Sequence, residues 1–242
     1  MMKKLLFVCV IIVFAALAAL SASAEQSPAV SPALNIIAAD FDMAKSGLVG
    51  DEVVFSNDDF LRALNLSSIE SVTVASLPDA TAGRLLLGTT AVSEGQTISR
   101  INLGLLVFSP ASEEKSVSSF EFYYDDCPYT IKCNLYMLKK VNQSPVAAYP
   151  TGISPDATTN PNKSVSGKVT AYDPEDDDVR FTVVSYPSHG LLIMNPYDDG
   201  KYTYFPDKNY NGDDSFRYVA RDKYGNYSAA VSVALHVSNS SS

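Results

Sequence analysis

The densest group of reactive side chains is Asp173-Pro-Glu-Asp-Asp-Asp178, an unbroken acidic run around one proline. Carboxylates so close repel one another, and the repulsion is relieved by water or by a hard cation with oxygen ligands, calcium being the one abundant outside cells. The run lacks the spaced ligands and closing Glu of an EF-hand loop. Two readings follow: a weak calcium site using Asp173, Glu175, Asp176 and Asp178, or a solvated acidic turn. Nucleophilic chemistry has less to work with. The chain has 2 histidines; His189 sits in a Ser-His-Gly turn and His236 in an alternating strand, and neither has the neighbours of a triad. Asp and Glu suffice for paired-carboxylate glycoside cleavage, but nothing marks one as held protonated by burial. The chain reads as non-enzymatic.

Tyrosines crowd the second half: Tyr186, Tyr197, Tyr202, Tyr204, Tyr210, Tyr218, Tyr224 and Tyr227. Flat aromatic faces beside Asp and Asn bind sugar rings, which makes a carbohydrate-binding module the alternative function. The competing reading places Tyr202, Tyr204, Phe216 and Tyr218 in a core as cross-strand pairs. Tryptophan, the strongest sugar platform, is absent. Of 3 cysteines, Cys9 lies in an N-terminal apolar run, leaving Cys127 and Cys133 as a pair. On an exported chain a disulfide between them is expected. Two reduced thiols or half of a metal site are the alternatives, and two soft ligands alone make a poor zinc site.

Export is read from residues 1–24. Lys3 and Lys4 precede the apolar run Leu5 to Leu20, which closes on Ser21-Ala22-Ser23-Ala24, the pattern of a cleaved signal peptide; an uncleaved anchor is the alternative. Residues 25–34, with two prolines and no periodicity, read as a flexible leader, and 239–242 as a polar tail. Removing Lys3 and Lys4 takes the net charge from −9 to −9 − 2 = −11. That charge argues against nucleic acid and anionic membrane as partners. No later apolar run is long enough to span a membrane. The expected location is secreted, extracellular or at the cell surface, and the expected partner an extracellular protein or a cell-wall polysaccharide.

The remaining 242 − 24 = 218 residues suffice for two domains. A proline-rich break from Asn142 to Pro150 sets their limits at 35–141 and 142–238. The halves repeat one another. Ser76-Leu-Pro78 and Gly83 recur as Ser185-Tyr-Pro187 and Gly190; Val107-Phe-Ser-Pro110 recurs as Thr203-Tyr-Phe-Pro206; Ser119-Phe-Glu-Phe122 recurs as Ser215-Phe-Arg-Tyr218. The offsets are 206 − 110 = 96, 216 − 120 = 96 and, for Asp126 and Asp222, 222 − 126 = 96. Upstream, 190 − 83 = 107, so the first copy carries an insertion of 11 residues, placed around Thr89 to Thr97.

Phe216, Tyr218 and Ala220 alternate with Ser215, Arg217 and Val219, and Val231, Val233, Leu235 and Val237 alternate with Ser232, Ala234 and His236. Period two with turn residues every 8 to 12 or so positions predicts all-β sandwiches. One short helix is expected, capped by Ser56 and running to Leu64 with Phe60, Leu61 and Leu64 on one side. The last strand, Val231 to Val237, is expected at an open sheet edge.

The second domain resembles the cadherin-like/immunoglobulin-like repeats found in tandem in large bacterial surface proteins. The residues carrying the likeness are Asn142-Gln-Ser-Pro-Val-Ala, Gly167 through the acidic run to Asp178, Val184 to Leu192, Tyr202-Thr-Tyr-Phe-Pro206, Asn209 to Tyr218, and Arg221-Asp-Lys-Tyr-Gly225. Through the internal repeat the likeness extends more faintly to 35–140. It implies two Greek-key sandwiches in tandem and roles in adhesion, spacing or matrix assembly without chemistry. It associates the acidic turn with calcium and adds Asp214 and Asp222 as the matching acidic positions. The first copy departs from the pattern: Leu66 to Ser71 stands where the acidic run would be, and Cys127 to Cys133 replaces the Lys-Tyr-Gly-Asn turn.

Overall fold

The computed structural model describes residues 42–238, save 115, 126, 128, 148–156 and 195–198. The expected signal peptide, leader and polar tail, with Asp126 and Tyr197, lie outside the described residues.

The first sandwich comprises β1 (Asp42–Leu48), β2 (Val53–Val54), α1 (Asn57–Leu64), β3 (Ser71–Ser76), β4 (Gly83–Leu87), β5 (Thr90–Ala91), β6 (Thr97–Ser99), a 3₁₀ turn (Arg100–Leu105), β7 (Leu106–Pro110), β8 (Ser116–Tyr124) and β9 (Ile131–Leu138). One sheet runs β1-β9-β8-β3-β6 and the other β2-β7-β4-β5. The second sandwich comprises β10 (Val146–Ala147), β11 (Ala157–Thr159), β12 (Val165–Lys168), β13 (Ala171–Tyr172), β14 (Val179–Ser185), β15 (Gly190–Met194), β16 (Lys201–Pro206), β17 (Gly212–Asp222) and β18 (Val231–Val237). Its sheets are β11-β18-β17-β14 and β12-β16-β15, with β10 pairing β13 beside them.

The duplication is exact at the level of strand register. Gly83 pairs Pro110 as Gly190 pairs Pro206. Val53 pairs Phe108 as Val165 pairs Tyr204. Phe120 pairs Cys133 as Phe216 pairs Val233. Both copies shift register at the same place, between Val74 and Ser76 and between Val183 and Ser185. In each, an early strand runs parallel to the closing one, β1 to β9 and β11 to β18. Gly83 and Gly190 are required for one reason: a Cβ there would collide with the ring of Phe108 or Tyr204 and with the carbonyl of Ser109 or Phe205.

Alternate side chains turn inward as the period-two pattern predicts. The two cores share no residue; Phe55, Phe60, Phe120 and Phe122 centre the first, and Tyr202, Tyr204, Phe216 and Tyr218 the second. The helix forms where expected. Ser56 and Asp59 exchange a capping box at its start, and Phe60 is delivered edge-on against Phe122 with centroids 5.3 Å apart.

Three expectations are corrected. The last strand is not an edge: β18 lies between β11 and β17, and the rims of the second sandwich's main sheets are β11, β14, β12 and β15. The insertion is more than turns: the segment Gly88 to Leu105, within which the 11 extra residues lie, supplies both β5 and β6. Cys127 and Cys133 are free thiols, not a disulfide. Cys133 takes the inward core position that Val233 takes in the second copy, while Cys127 follows the end of β8. Burial pushes the Cys133 thiol well above its usual range.

Candidate functional site: the junction between the domains

The acidic residues singled out by sequence do not gather. Asp214 and Asp222 stand at opposite ends of β17, 222 − 214 = 8 residues apart, roughly 27 Å along a strand. Each is consumed by local hydrogen bonds. Asp214 accepts from the backbone N–H groups of Ser188 and His189 at 2.9 and 2.8 Å, from Ser215 N–H, and lies 3.0 Å from the Tyr204 hydroxyl. Burial, then that contact with Asp214, pushes the Tyr204 phenol far up. Asp222, 1% exposed, accepts from Asn142 Nδ2 at 2.6 Å, from Tyr224 and Asn226 N–H, and from Asn226 Nδ2 at 2.9 Å.

The acidic run is a turn that closes on itself. Asp173 Oδ1 accepts from the N–H groups of Glu175 and Asp177, Asp176 is left-handed at φ 61°, and Asp177 pairs with Lys223 at 2.7 Å. Glu175 holds both the backbone and the side-chain amide of Gln143. Asp176 and Asp178 are exposed. Among the described residues no three His, Cys, Asp or Glu groups converge as metal ligands. The six acidic positions are thus spread over the domain, with Asp214 and Asp222 at opposite ends of one strand. One atom is left over, Asp173 Oδ2, buried without a hydrogen-bond partner.

The tyrosines divide. Tyr202, Tyr204 and Tyr218 are buried in the second core. Tyr186 packs against that core, and burial pushes its phenol up to about 12. Tyr210 is half-buried and stacks on His189 with centroids 4.3 Å apart. His189's ring is taken up by that stacking, and His236 pairs at the surface with Asp213. Tyr224 and Tyr227 lie elsewhere, where the two domains meet.

That junction is built by the turn between β17 and β18. Arg221, 8% exposed, donates from Nη2 to Asp42 Oδ1 at 2.8 Å and from Nη1 to the Asp42 carbonyl at 3.0 Å. Gly225, at φ 92°, lies so tightly against the backbone of Ala44 that no side chain fits. Tyr224 meets Tyr136 of β9 edge-on at 5.1 Å. Asn65, the left-handed cap of α1, donates to the Val183 carbonyl on β14. Tyr227 sits beside Arg221, and burial raises its phenol despite that cation. Between these contacts opens a cleft of about 260 Å³, lined by β1 and α1 on one side and by residues 224–227 on the other. Sequence reading missed the junction because its first-domain partners, Asp42, Ala44 and Asn65, belong to no motif. The Arg221 to Gly225 motif held the second-domain half in plain view.

Residues 142–234 match the family model described as Bacterial Ig domain. The second sandwich is a bacterial Ig-like domain. The first repeats its register with additions, so the molecule is a tandem of two Ig-like sandwiches. No curated protein matches the chain. Among solved structures, the fibronectin(III)-like modules of Clostridium thermocellum CbhA share 13% identity over 81% of this chain and 90% of theirs, with a TM-score of 0.33. Drosophila N-cadherin EC1-3 shares 12% over 81% of this chain and 64% of its own, at 0.31. An endo-fucoidan hydrolase of glycoside hydrolase family 107 shares 17% over 71% of this chain, which spans 24% of that enzyme, at 0.30. Superpositions this partial add nothing to the Ig-like fold read from the strand pairing and speak for no function of this chain.

Proposed function

We propose that the protein is a non-enzymatic extracellular module, structural or adhesive, whose two Ig-like sandwiches act as one stiff unit at a cell surface or in a matrix. The observation that carries the reading is the docked junction. A nearly buried guanidinium, Arg221, is spent on Asp42, and a glycine is spent on closing the gap to Ala44. Domains linked only as beads invest nothing of this kind. The bacterial Ig match supports an extracellular or surface setting, with an extracellular protein or a polysaccharide as partner.

Scanning calorimetry of the purified protein tests this. The wild type is expected to melt in one transition and Arg221→Ala in two. Because Asp42 keeps 39% side-chain exposure, the variant should lose about 1–2 kcal/mol, less than for a fully buried pair. Two independent transitions in the wild type, or turnover of chromogenic esters or glycosides, would overturn the proposal. Calcium enters this reading only at the acidic turn, with the unpartnered Asp173 Oδ2 as its first ligand. The expected sign is a higher melting temperature with calcium than with chelator; equal melting removes calcium from the reading.

A further inference from the structure

We infer that the cleft between the domains binds a carboxylate-bearing sugar residue, with Arg62 as the partner of the carboxylate. The inference supplies a ligand class for the adhesive reading and rests on the two domains staying docked, since each contributes one wall. The cleft measures about 260 Å³, slightly below the ~300 Å³ at which typical small-molecule sites begin. It suits one ring or a chain end better than a long segment.

The lining selects the chemistry. Only Ala44 and Gly225 lack a polar side chain, so there is no apolar pocket to anchor a hydrophobic group. Ser46, Ser144, Asn226 and Tyr224 bring hydroxyl and amide groups that both donate and accept, the complement of neighbouring sugar hydroxyls. The charge is equally selective. Lys45 is neutralised by Asp59 at 2.6 Å, and Asp59 is further held by Ser56. Arg62, exposed in the last turn of α1, makes no ion pair among the described residues. The cleft is thus left with one surplus positive charge in a chain of net −9. A guanidinium fork matches a carboxylate in geometry as well as in charge. A peptide would need the apolar anchor the cleft lacks, and a neutral sugar would leave Arg62 unused.

Isothermal titration of the full protein with D-glucuronate, D-galacturonate, glucose and acetate tests the assignment, with a calorimetric scan of the same samples. At least one uronate is expected to bind, glucose and acetate each about tenfold or more weaker, and Arg62→Ala to weaken the uronate by a similar factor, the size of one charge-assisted hydrogen bond. The melting temperature of Arg62→Ala should be unchanged, since the side chain is exposed. No uronate heat, glucose or acetate binding as tightly, or unaltered binding by Arg62→Ala would overturn the inference while a single melting transition leaves the docked junction standing. Two transitions in the wild type would overturn both.

Discussion

The two sandwiches share their strand register, bulge and aromatic cross-strand pairs, yet they finish their surfaces differently. In the first, the Gly88 to Leu105 insertion lays β6 along β3 and β5 along β4. In the second, the corresponding strands β14 and β15 carry no further strand among the described residues. On the outer face, Arg84 pairs Ser109 in the first copy where the second has Leu191 pairing Phe205, itself 43% exposed. Inside, the first copy relies on phenylalanine, Phe108 and Phe122, where the second uses Tyr204 and Tyr218. Register is fixed by which face must be buried, because a slip of one residue would turn every core side chain outward. Edges and outer faces are free to diverge, and function is sought there.

The equivalence is broken most directly through the shared core. Phe120→Ala and Phe216→Ala should each cost about 3–5 kcal/mol, read by urea unfolding; a much smaller loss in one domain would mean the two positions are not counterparts. The next test separates the copies by pH. Burial raises the Tyr186 phenol to about 12 and pushes Tyr204 further in the same direction, whereas the first core has Phe108 at the Tyr204 position. The unfolded chain ionises tyrosine near pH 10, so the folded second domain holds its protons longer. Its stability is intact below about pH 10 and falls between about 10 and 12. Tryptophan being absent, near-ultraviolet absorbance of tyrosinate and circular dichroism of Arg221→Ala carrying Cys133→Val, which uncouples the domains and removes the buried thiol of the first core, should show the second domain opening first; simultaneous alkaline unfolding of that variant would count against a tyrosine-specific effect.

A smaller effect is expected at the junction. Gly225→Ala puts a Cβ against the Ala44 carbonyl at a left-handed φ and should cost about 1–3 kcal/mol. It should appear as uncoupled melting with both cores intact. Smallest of all, Cys133→Val should change stability by less than about 1.5 kcal/mol, because the second copy already carries Val233 in that place. Before that change, a thiol reagent should modify Cys127 readily and Cys133 only on unfolding.

Much of the fold was legible because it is written twice. The 96-residue offset from Pro110 to Pro206 and from Phe120 to Phe216 is the offset of the paired strands themselves. What the sequence does not carry is the direction in which side chains point. Two cysteines six positions apart suggest a bridge, but Cys133 points into the core. Six carboxylates suggest a cation, but Asp214, Asp222 and Asp173 each turn back onto nearby backbone N–H groups, as short acidic side chains in turns do. The closing strand was expected at a sheet edge; a parallel partner from early in each copy, β1 or β11, covers it instead. The junction was illegible because it joins residues such as Asp42 and Arg221 that are far apart in sequence and belong to no common period.

A single excursion of the chain, Gly88 to Leu105, extends both sheets of the first sandwich at once, so that they end on the short strands β6 and β5. Short rims make poor templates for a second molecule; in the second copy, among the described residues, β15 has β16 as its one strand partner, while β14 meets the first domain, where Asn65 donates to the Val183 carbonyl. Crowding of these molecules should therefore begin at the back half, along β15.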